Sequence, residues 1–220
     1  MKGFRNTAIY LFILLSVSCC TGLKTVNGYI GFFCKTPEVA TKLYADRIKF
    51  YELQKNETVV SIGADNCTNE AVYGSSTDSV HFILENISAK YLNQKQLDFT
   101  VGYYEKLFQK KNAGTYTIQI GNESSTLLPS SSADKVLIEN SFHEFSEPQN
   151  MLKEVYRILK NGGSLYLCEA LVTEKRTIHK GCGMPLYTKE KLIEAVKKEN
   201  FHFVSISETQ KAPLLKFSKE

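Results

Sequence analysis

The 220-residue sequence has no Cys-x-x-Cys pair, no clustered histidines, no internal repeat and no basic stripe. Each absence closes off a class. Without paired cysteines or a histidine cluster beside them, spacing gives no reason to expect a zinc site. Lysines are spread along the chain apart from short pairs such as Lys110-Lys111 and Lys197-Lys198, so the electrostatic footprint of a nucleic-acid partner is missing. The formal net charge is +4, and Lys2 and Arg5 supply two of those charges. Prolines number five, and the chain is 43% hydrophobic and 23% charged, ordinary for a globular protein. The length fits one compact domain behind a short leader, and no second domain is visible.

What is present starts at the N-terminus. Lys2 and Arg5 precede an apolar run, Ala8 to Val17, interrupted only by Ser16. The run is too short to cross a ~30 Å hydrocarbon core as a helix. A basic start followed by a short apolar core is the pattern of an export signal, here residues 1–20. Its end, Leu15-Ser16-Val17-Ser18-Cys19-Cys20, resembles a bacterial lipobox, with Cys19 as the lipidated residue and Cys20 as the alternative. The expected location is therefore the cell envelope, periplasmic or at the outer membrane, with a lipid anchor as the membrane contact. Residues 21–37 carry no strong period and read as a tether. Four further cysteines, Cys34, Cys67, Cys168 and Cys182, allow three disulfide connectivities or free thiols. Cys67 and Cys168 lie at or near apolar strands and read equally well as buried thiols.

From residue 38 the pattern alternates between helix and strand. Glu38–Leu53 has helical periodicity after Pro37. Strands are expected at Thr58–Ile62, Ser79–Leu84, Thr115–Ile120, Lys135–Glu139, Ser164–Cys168, Phe201–Ile206 and Leu214–Phe217. Helices are expected at Thr68–Gly74, at Ala89–Gln109 with a break near Gly102, at Glu147–Leu159 stopped by Asn161-Gly162-Gly163, and at Thr188–Glu199 capped by Thr188. Such alternation predicts an α/β, Rossmann-like, doubly wound sheet of seven strands, mostly parallel. The last two strands are joined without a helix, which predicts an antiparallel pairing at that end.

In an open α/β sheet, ligands sit at the carboxyl ends of the strands. The residues there are Gly63-Ala64-Asp65-Asn66, then Glu85, then Gly121-Asn122-Glu123, then Asn140-Ser141-Phe142-His143. A carboxylate at Glu85 can accept both hydroxyls of a ribose. His143 is the candidate general base. The alternative for Phe142–Phe145 is a loop packed over a ligand by its two phenylalanines. His179 and Cys182 lie in the HKGCGMPLY loop, which reads as substrate-pocket wall or as a plain connection. Asn-x-Ser/Thr triplets occur at Asn56, Asn66, Asn86 and Asn122, against about two expected by chance, a weak signal for glycosylation.

Over residues 38–217 the chain resembles the class I S-adenosylmethionine-dependent methyltransferases. VVSIGADNC (59–67) is similar to that family's glycine-rich turn, and LPSSSADKVLIENSFHEF (128–145) to its fourth-strand region. EPQNMLKEVYRILKNGGSLYL (147–167) is similar to its helix, Arg-x-Leu-Lys-Pro-Gly-Gly turn and fifth strand, with Asn161 in place of proline. The resemblance implies S-adenosylmethionine as cofactor, held by Gly63, Ala64, Asp65, Glu85, Asn122, Glu123 and Asn140. It implies methyl transfer to a small or envelope-associated acceptor. The sequence departs from the family at Asp65 and Cys67, where glycines are usual, and at Ser61, usually acidic. Those departures support the alternative of a catalytically inactive, methyltransferase-fold binding protein. A nicotinamide-dependent oxidoreductase also uses a glycine turn and a distant acid, but the antiparallel final pair and the RILKNGG turn argue against it.

Overall fold

A computed structural model describes residues 24–26, 29–31, 33–208 and 212–220. The expected export signal and the Cys19 lipidation site lie outside the described residues. Two short strands, β1 (Lys24–Val26) and β2 (Tyr29–Gly31), pair antiparallel as a separate hairpin. The rest builds one seven-stranded sheet from β3 (Thr58–Ile62), β4 (His81–Asn86), β5 (Thr115–Ile120), β6 (Ala133–Glu139), β7 (Leu159–Cys168), β8 (His202–Ser207) and β9 (Leu214–Ser218). Their order is β5-β4-β3-β6-β7-β9-β8. The first five pair in parallel; β9 runs antiparallel to β7 and to β8. This is the doubly wound sheet expected from the alternation.

The helices are α1 (Pro37–Tyr51), α2 (Thr68–Ser76), α3 (Gln94–Phe108), α4 (Pro148–Ile158) and α5 (Lys189–Lys197). They divide between the faces because side chains alternate along each strand. In β3, Val59 joins the cluster that includes Ala40, Tyr44, Ala71 and Leu97 of α1, α2 and α3. Its neighbour Val60 joins Met151, Leu152, Val155 and Ile158 of α4 and Leu192 and Val196 of α5. In β6, Leu137 faces the first cluster, while Val136 and Ile138 face the second. Both faces of the central strands are thus covered, as parallel sheets require.

Several boundaries differ from the sequence expectation. The segment read as a tether carries the hairpin and then buries Phe33 and Cys34 against the domain. Phe33 meets Phe99 edge-on and Tyr103 at a tilt, both from α3. Helix α3 begins at Gln94, where Asn93 caps it by accepting from the Gln96 N–H, and it runs through Gly102 without a break. A side chain at Gly102 would meet nothing within 4 Å. The glycine faces open space and costs helix propensity of about 1 kcal/mol without interrupting the ladder. Strand β7 starts at Leu159 rather than Ser164, because Leu159 already pairs with Ala133 ahead of a register shift. The Asn161-Gly162-Gly163 turn therefore lies within the strand's span, with Gly162 at φ +75°. No disulfide joins the described cysteines; Cys67 and Cys168 are buried thiols and Cys182 is exposed.

Winding in opposite directions from β3 and β6 leaves a crevice between their carboxyl ends. Residues 63–67, 85–88, 121–127, 140–145 and 169–187 converge on that edge of the sheet.

Candidate functional site

The turn after β3 is fixed by a close approach. Gly63 has φ +79°, and a Cβ there would fall 2.6 Å from the Ser141 hydroxyl oxygen. Only glycine satisfies both constraints. Ser141 in turn donates to the Ile62 carbonyl at 3.2 Å, tying the ends of β3 and β6 together. The N–H groups of Gly63 and Ala64 both donate to the backbone carbonyl of Glu85 at 3.0 Å, locking this turn to the end of β4. Cys67 stands where the family pattern has a glycine, and its φ is +56°. The left-handed backbone of the glycine-rich turn is retained with a side chain in place. Asp65 accepts from Asn86 Nδ2 at 2.7 Å. Loss of solvent raises the Asp65 pKa, the Asn86 bond opposes that rise, and the charge of Glu144 adds to it.

Glu85 is 1% exposed, and its Oε1 has no hydrogen-bond partner. Burial pushes its carboxyl up to about 7. A Cβ on Gly121 would collide with that same Oε1 and would fall 2.6 Å from the Ser125 carbonyl. The glycine turn after β5 is thus the wall against which the Glu85 carboxylate rests. The other residues expected here are placed differently. Asn122 is exposed and uses its Oδ1 to accept from Ser124 N–H at 3.1 Å, holding its own turn. Glu123, also exposed, accepts from the Ser146 hydroxyl at 2.8 Å. Asn140 is exposed at φ +53°, with its N–H donating to the Cys168 carbonyl at 2.7 Å.

His143 lies in a short 3-10 turn, Phe142–Glu144. Its ring is 1% exposed. Nδ1 lies 2.8 Å from Glu169 Oε2, and the other Glu169 oxygen accepts from the Phe142 N–H at 2.6 Å. Nε2 is buried without a partner. Burial disfavours the imidazolium, but the bond to Glu169 and the charges of Glu169 and Glu144 outweigh it, and the pKa rises above the ordinary value. Phe142 packs against Phe145 and Tyr187, so the phenylalanine packing expected for this loop is present together with an oriented histidine. His179 stacks obliquely on His143, with ring centroids 4.4 Å apart, and its Nδ1 lies 3.2 Å from the Cys182 sulfur. The structure therefore brings together histidines 36 positions apart in the chain, a cluster that spacing did not suggest. Glu169 escapes the sequence reading, although it directly follows β7 and so obeys the strand-end rule that located the others.

Three other acidic residues hold the frame. Glu139 accepts from Tyr51 and Tyr73 hydroxyls and from Asn69 Nδ2, beside Arg47. Glu154 accepts from the Thr126 N–H and hydroxyl and from two nitrogens of Arg157. Arg157 then donates to the Leu128 carbonyl, so the arginine of the RILKNGG stretch clamps the β5–β6 connection. Ser61, at the position usually acidic in the family, donates to Glu70 of α2, which returns a buried carboxyl to the same place.

Residues 74–167 match the family model described as a methyltransferase domain. The matched span begins beyond the Gly63–Cys67 turn and contains Glu85, Gly121 and His143. No curated protein matches the chain in sequence. Among solved structures, the 4+2 cyclase SpnF superposes with a TM-score of 0.64 at 14% identity, covering 83% of this chain and 81% of its own. A SAM-dependent methyltransferase from Methanosarcina mazei gives 0.58 at 17% identity, covering 78% and 96%. Another, from Aquifex aeolicus, gives 0.56 at 17%, covering 83% and 97%. The chain has the Rossmann-like methyltransferase fold.

Proposed function

We propose that the chain is an S-adenosylmethionine-dependent methyltransferase acting on a small or envelope-associated acceptor, carried to the envelope by its leader with Cys19 as the anchor. The observation that carries the cofactor assignment is the buried, unpartnered Glu85 oxygen between the Gly63 and Gly121 turns. A buried acceptor without a donor is costly, and two ribose hydroxyls would supply the missing donors. The residues present fit the nucleoside half of the cofactor. At the other half, Asp65 suits the ammonium or sulfonium and opposes the carboxylate.

S-adenosylmethionine, when bound, supplies an electrophilic methyl group. The protein's part is to hold the two reactants in line and to exclude water, which accounts for much of the rate in such transfers. Glu85 would bind the ribose, the Gly63 turn would carry the backbone against the cofactor, and the 142–145 turn, anchored by buried Phe142 and His143, would close the crevice. The match of residues 74–167 to the methyltransferase-domain model and the shared fold support the reading.

Calorimetry of the full chain in mild detergent with S-adenosylmethionine and S-adenosylhomocysteine tests it. Binding in the micromolar range that disappears in Glu85→Ala is the expected result. Absence of heat up to millimolar ligand would sink it and leave the second reading, a binding protein that has kept the fold. That reading is favoured by the side chains at Asp65 and Cys67. SpnF, a 4+2 cyclase, shows that this fold serves chemistry other than methyl transfer.

A further inference from the structure

We infer that His143, His179, Cys182 and Glu144 form a zinc site at the mouth of the crevice. Their donor atoms all lie within 4.8 Å of one another. His143 Nε2 and Glu144 Oε1 are 3.8 Å apart, and His179 Nδ1 and Cys182 Sγ are 3.2 Å apart. A tetrahedral zinc shell, with bonds of about 2.0–2.3 Å, has edges of about 3.3–3.8 Å. These two pairs match such edges, and the remaining donors, all within 4.8 Å, close to a shell by contraction.

Two features of His143 point to a ligand at this place, and a third orders the other donors. First, the His143 ring is 1% exposed, and its Nε2 faces the cluster with no hydrogen-bond partner. An acceptor nitrogen buried in that way is in search of a donor or a metal. Second, Glu169 holds Nδ1 from behind at 2.8 Å. A carboxylate on the far nitrogen fixes the tautomer that leaves Nε2 as a lone pair and strengthens it as a ligand, the usual outer partner of a metal-bound histidine. Third, the loop bearing His179 and Cys182 is built tightly. Gly183 N–H donates to the His179 carbonyl at 2.9 Å, His179 N–H donates to the Met184 carbonyl at 2.8 Å, and Gly183 takes φ +75°. That turn presents His179 and Cys182 as a two-donor arm, with Nδ1 and Sγ 3.2 Å apart. The second arm is the adjacent pair His143 and Glu144.

The donor set selects the metal. Two imidazoles, one thiolate and one carboxylate suit zinc; calcium and magnesium require more oxygen. Cys182 would bind as thiolate, its proton passing to solvent. Such a site would pin the 176–186 loop over the 142–145 turn and so set the shape of the crevice mouth. The assignment does not rest on methyl transfer: zinc uptake is read without cofactor or acceptor, and either proposal can fail alone.

The test is metal uptake by the full chain in mild detergent after stripping with a chelator. One zinc per chain, bound more tightly than about 1 µM in competition with a chromophoric chelator, is the expected result. His179→Ala and Cys182→Ser, both on a surface loop, should each weaken uptake at least about tenfold. Glu169→Gln, which touches no metal, should weaken it by about 10–100-fold. Cobalt loading should give a thiolate charge-transfer band that vanishes in Cys182→Ser. No uptake at micromolar zinc, or uptake indifferent to both loop variants, overturns the assignment.

Discussion

Glu85 and Gly121 are shaped around each other: the carboxylate oxygen that lacks a partner occupies the space in which a side chain at 121 would begin. The pair joins the ends of β4 and β5, adjacent strands in register from His81 with Thr115 to Asn86 with Ile120. Glycine at 121 is therefore required by the close approach of the Glu85 side chain and the Ser125 backbone, with no unusual backbone angle involved. The Gly63 turn differs, since there both a left-handed φ and a close approach apply.

Gly121→Ala should accordingly destabilise the fold by about 1–3 kcal/mol through overpacking, because the Ser125 carbonyl and Thr126 backbone cannot move aside as a flexible side chain could. Urea unfolding checks this. A loss under about 0.5 kcal/mol would mean that the 121–126 turn yields freely.

The Glu85 carboxyl also gives a pH signature. Its pKa in the fold is pushed up to about 7 by burial, against an ordinary value of 4.5. The folded state therefore binds the proton more tightly than the unfolded state does. The contribution favours folding below the ordinary value and is lost as pH rises through about 7, for a total of about 3 kcal/mol. Glu70 moves in the same direction, so the difference between wild type and Glu85→Gln isolates the term. Wild type should lose stability relative to that variant between pH 5 and 8. If ribose hydroxyls donate to the carboxylate, S-adenosylhomocysteine should bind more tightly as pH rises through 7, with proton release detectable in buffers of different ionisation heat.

Strand positions were legible because both faces of the sheet are covered, which leaves short β-branched runs such as Thr58–Ile62 bounded by turns. Helix ends were legible where a cap marks them, as at Thr188, whose side chain accepts from the Lys191 N–H. The strand-end rule located Glu85 and His143. It did not reveal that Asn122 and Glu123 would turn to Ser124 and Ser146, because a turn residue's side chain is claimed by whichever backbone or hydroxyl donor lies nearest. The His143–His179 stack was illegible for a different reason: its members come from two loops, and nothing in the period of either loop encodes the other's position. Boundaries slipped at Gly102 and Leu159, where a glycine facing open space and a bulge interrupted the expected pattern without interrupting the element.

Cys67 offers a test of how far the glycine-rich turn has diverged. A left-handed backbone costs a residue with a Cβ roughly 1–2 kcal/mol. Cys67→Gly removes that cost but also removes a buried side chain 1% exposed. The two terms are of similar size, and the variant should unfold within about 1 kcal/mol of wild type. Cys67→Val, whose branched side chain resists φ +56°, should instead lose about 2 kcal/mol or more. Equal stability of the two variants would show that the turn is free to leave the left-handed region.

The Glu154–Arg157 clamp can be read in the same experiment through its opposite pH sign. Burial raises the Glu154 pKa, but the bonds from Arg157 and Thr126 outweigh it, and the net shift is downward. Its stabilisation is present above the ordinary carboxyl value and is lost as pH falls through the lowered one. Glu154→Gln keeps the shape, leaves Arg157 without its charged partner, and weakens three bonds that hold the β5–β6 connection. Arg157 is 39% exposed, so water recovers part of the loss. The variant should lose about 2 kcal/mol at pH 7 by urea unfolding, with the gap to wild type closing in acid. Because Thr126 adjoins the wall behind Glu85, the same variant should weaken S-adenosylhomocysteine binding at pH 7. Unchanged affinity alongside the stability loss would separate the clamp from the cofactor site.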